Sequence, residues 1–210
     1  DVSSAASDVY KRQQIGMAVP VLGAQKIMKA LKKSLKKNKK KVPIHHYWMI
    51  KGKGKDLYFN GKKISCLVGL AGIGHKSKEG DCITPIGTYT LNTVYYRKDK
   101  VKNIKTDMPL KIINKDTGWC TDSKSLSYNK EIKVPFNGKH ELLYRTDECY
   151  DIIITTSFNT CPTKPNAGSA IFIHCTGKNN YTEGCIALDK SFLKSMLKNI
   201  DNKTKIIVKI

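Results

Sequence analysis

Two residues near the C-terminal end of the sequence have the types and spacing for nucleophilic chemistry. His174 closes the apolar run AIFIHC, and Cys185 follows eleven residues later, behind a glycine, in TEGCIAL. A thiol becomes a nucleophile when a neighbouring imidazole, a positive charge or a helix N-terminus favours the thiolate. Gly184 lets the backbone turn sharply, so that the N–H groups of Gly184 and Cys185 can face a substrate carbonyl, the raw material of an oxyanion hole. On residue types alone two readings stand. One is a base and a nucleophile; the other is a core histidine beside an ordinary cysteine.

Either reading needs a strand behind His174 and a turn ahead of Cys185. In the strand, Ala170, Phe172 and His174 are expected on the inward face, with Ile171, Ile173 and Cys175 opposite, so Cys175 is expected to pack in the core. After Pro43 the sequence consists of short β-like runs between Gly, Pro, Asn and Lys turns: HHYWMIKG, DLYFNGKKISCLVGLAG, GTYTLNTVYY, PLKIIN, YDIIITTSF, AIFIHC and KIIVKI. Asn60-Gly61 reads as a hairpin turn. One later segment reads as a helix, capped by Asp189, with Phe192, Leu193, Met196, Leu197 and Ile200 as its apolar stripe. These patterns predict a mostly β domain over residues 44–210, with strands too short and numerous for a doubly wound α/β sheet.

The rest of the chain limits the partners. Its 210 residues carry a formal net charge of +21, which calls for an anionic partner or surroundings. The lysine-rich run Lys26–Lys41 reads as a solvated linker or a basic amphipathic helix for an anionic wall or membrane surface. Without aromatic residues to stack on bases, it is a poor nucleic-acid binder. Residues 1–13 lack an initiator Met and resemble translated adapter read-through. They are set apart from the fold, with 14–43 expected to be a basic linker or the remnant of an anchor region whose export signal is missing. The seven cysteines hold no C-x-x-C, the closest pair being ten residues apart. A zinc ribbon or thioredoxin-type motif is therefore not expected. Cys120 and Cys149 are possible disulfide partners. His45, His46, His75 and His140 lack metal-type spacing and read as surface or structural.

IHC followed by TEGCIAL resembles the active-site motif of the YkuD-type L,D-transpeptidase family: a His, a spacer, then Ser/Thr-His-Gly-Cys. KEGDCITPIGTYTL (Lys78 to Leu91) is similar to that family's Glu-Gly-Asp and Thr-Pro-x-Gly stretch. GWCTDSKSLSYNKEIKVP (Gly118 to Pro135) resembles the Trp-Cys-x-Asp … Tyr-Asn segment of one branch, and HELLY (His140 to Tyr144) and GSAIFIHC follow in that branch's order. The resemblance implies an L,D-transpeptidase-like β-sandwich or barrel with a few short helices. It makes Cys185 the nucleophile and His174 the general base, with Thr182 and Gly184 at the motif's Ser/Thr and Gly positions. Glu183 stands where the commonest pattern has a second histidine, and Ala187 where it has an arginine. The His-to-Cys spacer is also shorter than usual. The missing charge is expected from Arg97, Arg145 or nearby lysines. Trp119, Asp122, Tyr128, Asn129 and Glu183 are candidates to bind substrate; the first four read equally well as a tied-down loop.

The implied activity is cysteine acyl transfer on peptidoglycan stem peptides in an exported protein, with no metal or organic cofactor. An amine acceptor gives a 3–3 cross-link, and water gives an L,D-carboxypeptidase. The rivals are a non-catalytic cationic wall-binding protein and a nucleic-acid binder, the latter disfavoured by the lack of any recognisable binding motif. The catalytic reading expects Cys185 to be the thiol that labels fastest at neutral pH.

Overall fold

The computed structural model describes residues 47–51 and 56–210. The Lys26–Lys41 run, His45, His46 and the expected segments 1–13 and 14–43 lie outside the described residues. The elements run β1 (Tyr47–Lys51), β2 (Asp56–Phe59), β3 (Lys62–Ser65), β4 (Ile73–Gly74), β5 (Thr84–Pro85), β6 (Gly87–Tyr96) and β7 (Leu110–Ile112). They continue through β8 (Thr117–Cys120), β9 (Glu131–Lys133), β10 (His140–Leu142), β11 (Ile152–Thr156), β12 (Phe172–Cys175) and β13 (Ile186–Leu188) to helix α1 (Lys190–Met196) and β14 (Lys205–Val208).

The main sheet has the order β13-β12-β11-β6-β14-β1-β2-β3, with β7 added beside β6. β6 is long enough to serve several partners, pairing β14 through Gly87–Thr90 and β11 through Leu91–Tyr96. Beyond β3, Leu67 exchanges both backbone hydrogen bonds with Ala187 of β13, each at 2.9 Å. That bridge joins the two ends of the sheet and nearly closes it. A separate sheet, β10-β8-β9, lies within residues 117–142.

Alternation along the strands sorts the apolar residues into two cores. Ile152, Ile154, Ile173 and Cys175 pack on one side with α1 residues Leu193 and Met196. Tyr95, Ile153 and Phe172 face the other, with Trp119, Leu143 and Tyr150. Each fully buried aliphatic side chain contributes about 1.5–3 kcal/mol of transfer free energy. Asn60 and Gly61 make the β2–β3 turn at φ 50° and 76°, both in the left-handed region that a two-residue hairpin requires. Asp189 caps α1, its side chain accepting from Phe192 N–H at 2.8 Å.

One expectation is corrected. Ala170 does not belong to the strand: it sits at φ 52°, which leaves the extended region, and β12 begins at Phe172. β13 lies between Cys185 and the Asp189-capped helix.

Candidate active site

A cleft of about 570 Å³ opens where the starts of β12 and β13 meet the loops around Lys76, Thr121 and Tyr181. Cys185, His174, Thr182 and Glu183 all line it. Gly184 lies in the turn that carries them. At φ 134° it occupies a conformation that disfavours L side chains, and a Cβ there would come 2.9 Å from the Ile83 carbonyl oxygen.

This turn is tied on every side. Thr182 Oγ1 donates to Cys185 O at 2.6 Å and accepts from Gly184 N–H at 3.2 Å. The Thr182 backbone bonds to Val68 O and Leu70 N. Fully buried Thr84 donates its hydroxyl to Gly184 O at 2.8 Å and accepts from Gly69 N–H at 2.8 Å. Thr84 lies in the quoted Thr-Pro-x-Gly stretch, but nothing in the sequence placed it under the cysteine.

The thiol is held in its neutral form. Cys185 Sγ donates to Ala170 O at 3.0 Å and accepts from Phe172 N–H at 3.3 Å. Burial pushes its pKa up to about 12; the Phe172 N–H opposes the shift, and the nearby Glu141 and Glu183 charges add to it. Fast labelling at neutral pH, expected from a pre-formed thiolate, does not fit this arrangement.

His174 is 8% exposed, and burial lowers its pKa to about 4. Its Nδ1 lies 2.8 Å from Cys175 O. A carbonyl only accepts, so Nδ1 carries the proton and Nε2 is left as a lone-pair acceptor. The ring meets Tyr150 edge-on, with centroids 5.2 Å apart. Tyr150 donates its hydroxyl to Glu141 Oε1 at 2.6 Å. Burial, with the charges of Glu183 and Glu79, raises the Glu141 pKa against the pull of Tyr150 and Arg145. Glu141 and Tyr150 are site residues that the sequence did not single out. HELLY contains the first, but no motif spacing links it to the second.

The remaining candidates separate cleanly. Trp119, Asp122, Tyr128 and Asn129 do not line the cleft. Trp119 Nε1 donates to Asn129 Oδ1 at 3.1 Å, and the Asn129 amide donates to the carbonyls of Phe158 and Asn159. Asn129 Oδ1 also accepts from Ala170 N–H at 3.0 Å, so this loop fixes the residue whose carbonyl holds the thiol. Asp122 folds back on Lys124 N–H, and Tyr128 donates to Glu79. Of the cations expected to stand in for an arginine at Ala187, Arg145 lines the cleft with Lys76 and Lys178. Arg97 is 4% exposed and turned away, bonded to Asp99 and stacked over Tyr144. His140 is exposed and bonds Gly138 O, and His75 is exposed. All seven cysteines, Cys120 and Cys149 included, are free thiols.

A mostly β domain that brings a thiol and a neutral imidazole to one cleft has the parts of a cysteine-dependent group-transfer enzyme. The sequence matches the L,D-transpeptidase catalytic domain (YkuD) over residues 36–208, and the chain belongs to that family. No curated protein matches it. Among solved structures it is similar to Bd1075 of Bdellovibrio bacteriovorus, with 15% identity, TM-score 0.41, and coverage of 79% of this chain and 48% of that one. It is also similar to L,D-transpeptidase 1 of Mycobacterium tuberculosis, with 12% identity, TM-score 0.35, and coverage of 78% and 60%. For an L,D-transpeptidase from Mycobacterium smegmatis the values are 13%, 0.37, and 79% and 59%. The aligned part of each neighbour is thus between about half and three fifths of its length. Among the described residues no helix is long and apolar enough to cross a membrane.

Proposed function

We propose that the protein is an exported peptidoglycan L,D-transpeptidase that works through a thioester on Cys185. The observation that carries this reading is the presence, in one cleft, of Cys185 and of a histidine whose Nδ1 is tied to Cys175 O, which leaves Nε2 as the acceptor. The carbonyl of the third stem-peptide residue enters beside Sγ. The thiol leaves Ala170 O and passes its proton to His174 Nε2 as Sγ attacks. With the thiol held near 12 and the imidazole near 4, separate ionisation is uphill, so proton transfer and attack are coupled. The Gly184 N–H is already given to Thr182 Oγ1, which leaves the Cys185 N–H to meet the developing oxyanion. His174 returns its proton to the departing D-alanine amine, and a thioester remains. Lys178, exposed at the cleft edge, supplies positive charge for a peptide carboxylate. The net charge of +21 and the Lys26–Lys41 run suit work among anionic wall polymers or at a membrane surface.

Mass spectrometry of tetrapeptide muropeptides incubated with wild type and with Cys185→Ala tests this. The expected result is release of D-alanine by the wild type alone. Cross-linked dimers mark a transpeptidase, and tripeptides without dimers mark an L,D-carboxypeptidase. Muropeptides left intact by both proteins overturn the reading.

A further inference from the structure

Strand β7 has one edge unpaired among the described residues. Val94 N–H donates to Pro109 O and Ile113 N–H to Tyr96 O, both at 2.8 Å, and the register sets Val94 opposite Leu110 and Tyr96 opposite Ile112. In a parallel pair, alternate residues turn their backbone groups to opposite sides. Pro109, Lys111 and Ile113 face β6, so the N–H and C=O of Leu110 and Ile112 face outward. Among the described residues β7 pairs with β6 alone. Leu110 and Ile112 are each 41% exposed, with Lys111 exposed between them. An uncovered edge of this kind is a template for another strand.

The edge borders a recess of about 570 Å³ lined by Lys98, Lys102, Ile112, Asn114, Lys115 and Tyr144. Other lysines nearby have partners: Lys100 meets Asp151, Lys111 meets Glu131, and Lys133 meets Asp116. Lys98, Lys102 and Lys115 form no ion pair among the described residues. Asp99, the acid of the recess, is gripped by Arg97 through Nε and Nη2 at 2.9 and 2.6 Å, which holds its carboxyl at about 2. Lys102 Nζ donates to Lys98 O at 2.9 Å, so these two lysines meet at the recess. Positive charge is left there without compensation.

The two features select one occupant. A strand edge offers backbone donors and acceptors in alternation, which an extended peptide matches and a phosphate polymer does not. The lysines offer charge and donors, which carboxylates match. A second copy of the chain would bring the same lysines to the edge, and the Lys26–Lys41 run would bring more. Like charge opposes both.

We propose that the outer edge of β7 and the recess of Lys98, Lys102 and Lys115 form a docking site for an extended acidic peptide, which adds to the sheet as a strand beside β7. Its backbone bonds to Leu110 and Ile112, and its carboxylates meet the lysines. The site shares no lining residue with the Cys185 cleft. The two are neighbours: Tyr144 lines one and Arg145 the other, and Arg97, stacked over Tyr144, donates to Arg145 O. A peptide can therefore dock while the cleft is occupied, and docking does not depend on the thioester reading.

Amide NMR spectra of the full chain, titrated with an acetylated and amidated peptide of alternating glutamate and valine, test the site. Saturable shifts are expected at Leu110–Asn114 and not at Thr182–Cys185. Methylating the peptide's backbone nitrogens removes its donors and keeps its charge, and is expected to weaken binding at least about fivefold. Lys98→Gln together with Lys102→Gln is expected to weaken the unmethylated peptide at least about threefold. Undiminished affinity of the methylated peptide, or tripolyphosphate that saturates the same amides as tightly, shows charge acting alone and overturns the proposal. Undiminished affinity in the lysine variant overturns it as well. So do shifts centred on Thr182–Cys185, or none at β7 with millimolar peptide. No arm reads D-alanine release, so this test and the muropeptide test fail independently.

Discussion

Thr84 Oγ1 donates to the carbonyl of Gly184 at 2.8 Å, one hundred residues further along the chain, and accepts from Gly69 N–H at the same distance. The cysteine turn is thereby fastened to the β4–β5 region rather than to its own strand. Thr84→Val keeps the shape, leaves both backbone groups unsatisfied, and is expected to cost about 1–3 kcal/mol in urea unfolding. D-alanine release is expected to fall at least about tenfold, since about 1.4 kcal/mol lost at the transition state has that effect. Thr84→Ser is expected to recover most of both.

Gly184→Ala tests the same turn from the inside. The φ of 134° and the Ile83 carbonyl at 2.9 Å from the added methyl both oppose it. Backbone strain of this kind costs about 1–3 kcal/mol. A lower Tm and loss of D-alanine release are expected together, read by calorimetry and by product mass.

His174 should make stability depend on pH. Its pKa lies near 4 in the folded protein against an ordinary 6.5. Between those values the unfolded chain binds a proton that the folded chain refuses, so stability falls as pH drops through that window. The loss attributable to His174 is about 3 kcal/mol. Glu141, raised by burial, works in the opposite sense, and Asp81 acts only at lower pH. Urea midpoints taken from about pH 7 to about pH 4 should therefore slope less in His174→Gln than in the wild type.

Thiol reactivity gives a further check. Cys161 is exposed, whereas burial holds Cys185 as a thiol, its Sγ donating to Ala170 O. With iodoacetamide near neutral pH, Cys161 is expected to label first, and Cys185 to speed up continuously with pH without a plateau below about pH 9. A Cys185 that labels fastest near pH 7 would mean the thiolate forms before substrate arrives, against the coupled step proposed above.

The strands that sequence pattern reveals are those that alternate over four or more residues between two cores. Ile152–Thr156 and Phe172–Cys175 are of this kind, each facing opposite cores in turn. Glu131–Lys133 and His140–Leu142 stayed hidden because three residues among turns carry no readable period, and Thr117–Cys120 because Thr117 and Gly118 give it no alternating apolar pattern. Site residues were legible where they are neighbours in sequence, as Thr182 to Cys185 are. The contacts of Tyr150 with Glu141 and His174 were not. They depend on β10 and β12 converging on Tyr150, just ahead of β11, and no local pattern encodes that convergence. Ala170 misled the strand reading because its left-handed φ is imposed by tertiary bonds, among them its N–H to Asn129.

The burial that holds Cys185 as a thiol also bears on its resistance to oxidation. Peroxide and disulfide exchange attack the thiolate, not the thiol. A group held near pKa 12 is ionised in about one molecule in a hundred thousand at neutral pH. On the proposed chemistry, peroxide is therefore expected to oxidise exposed Cys161 before it consumes Cys185.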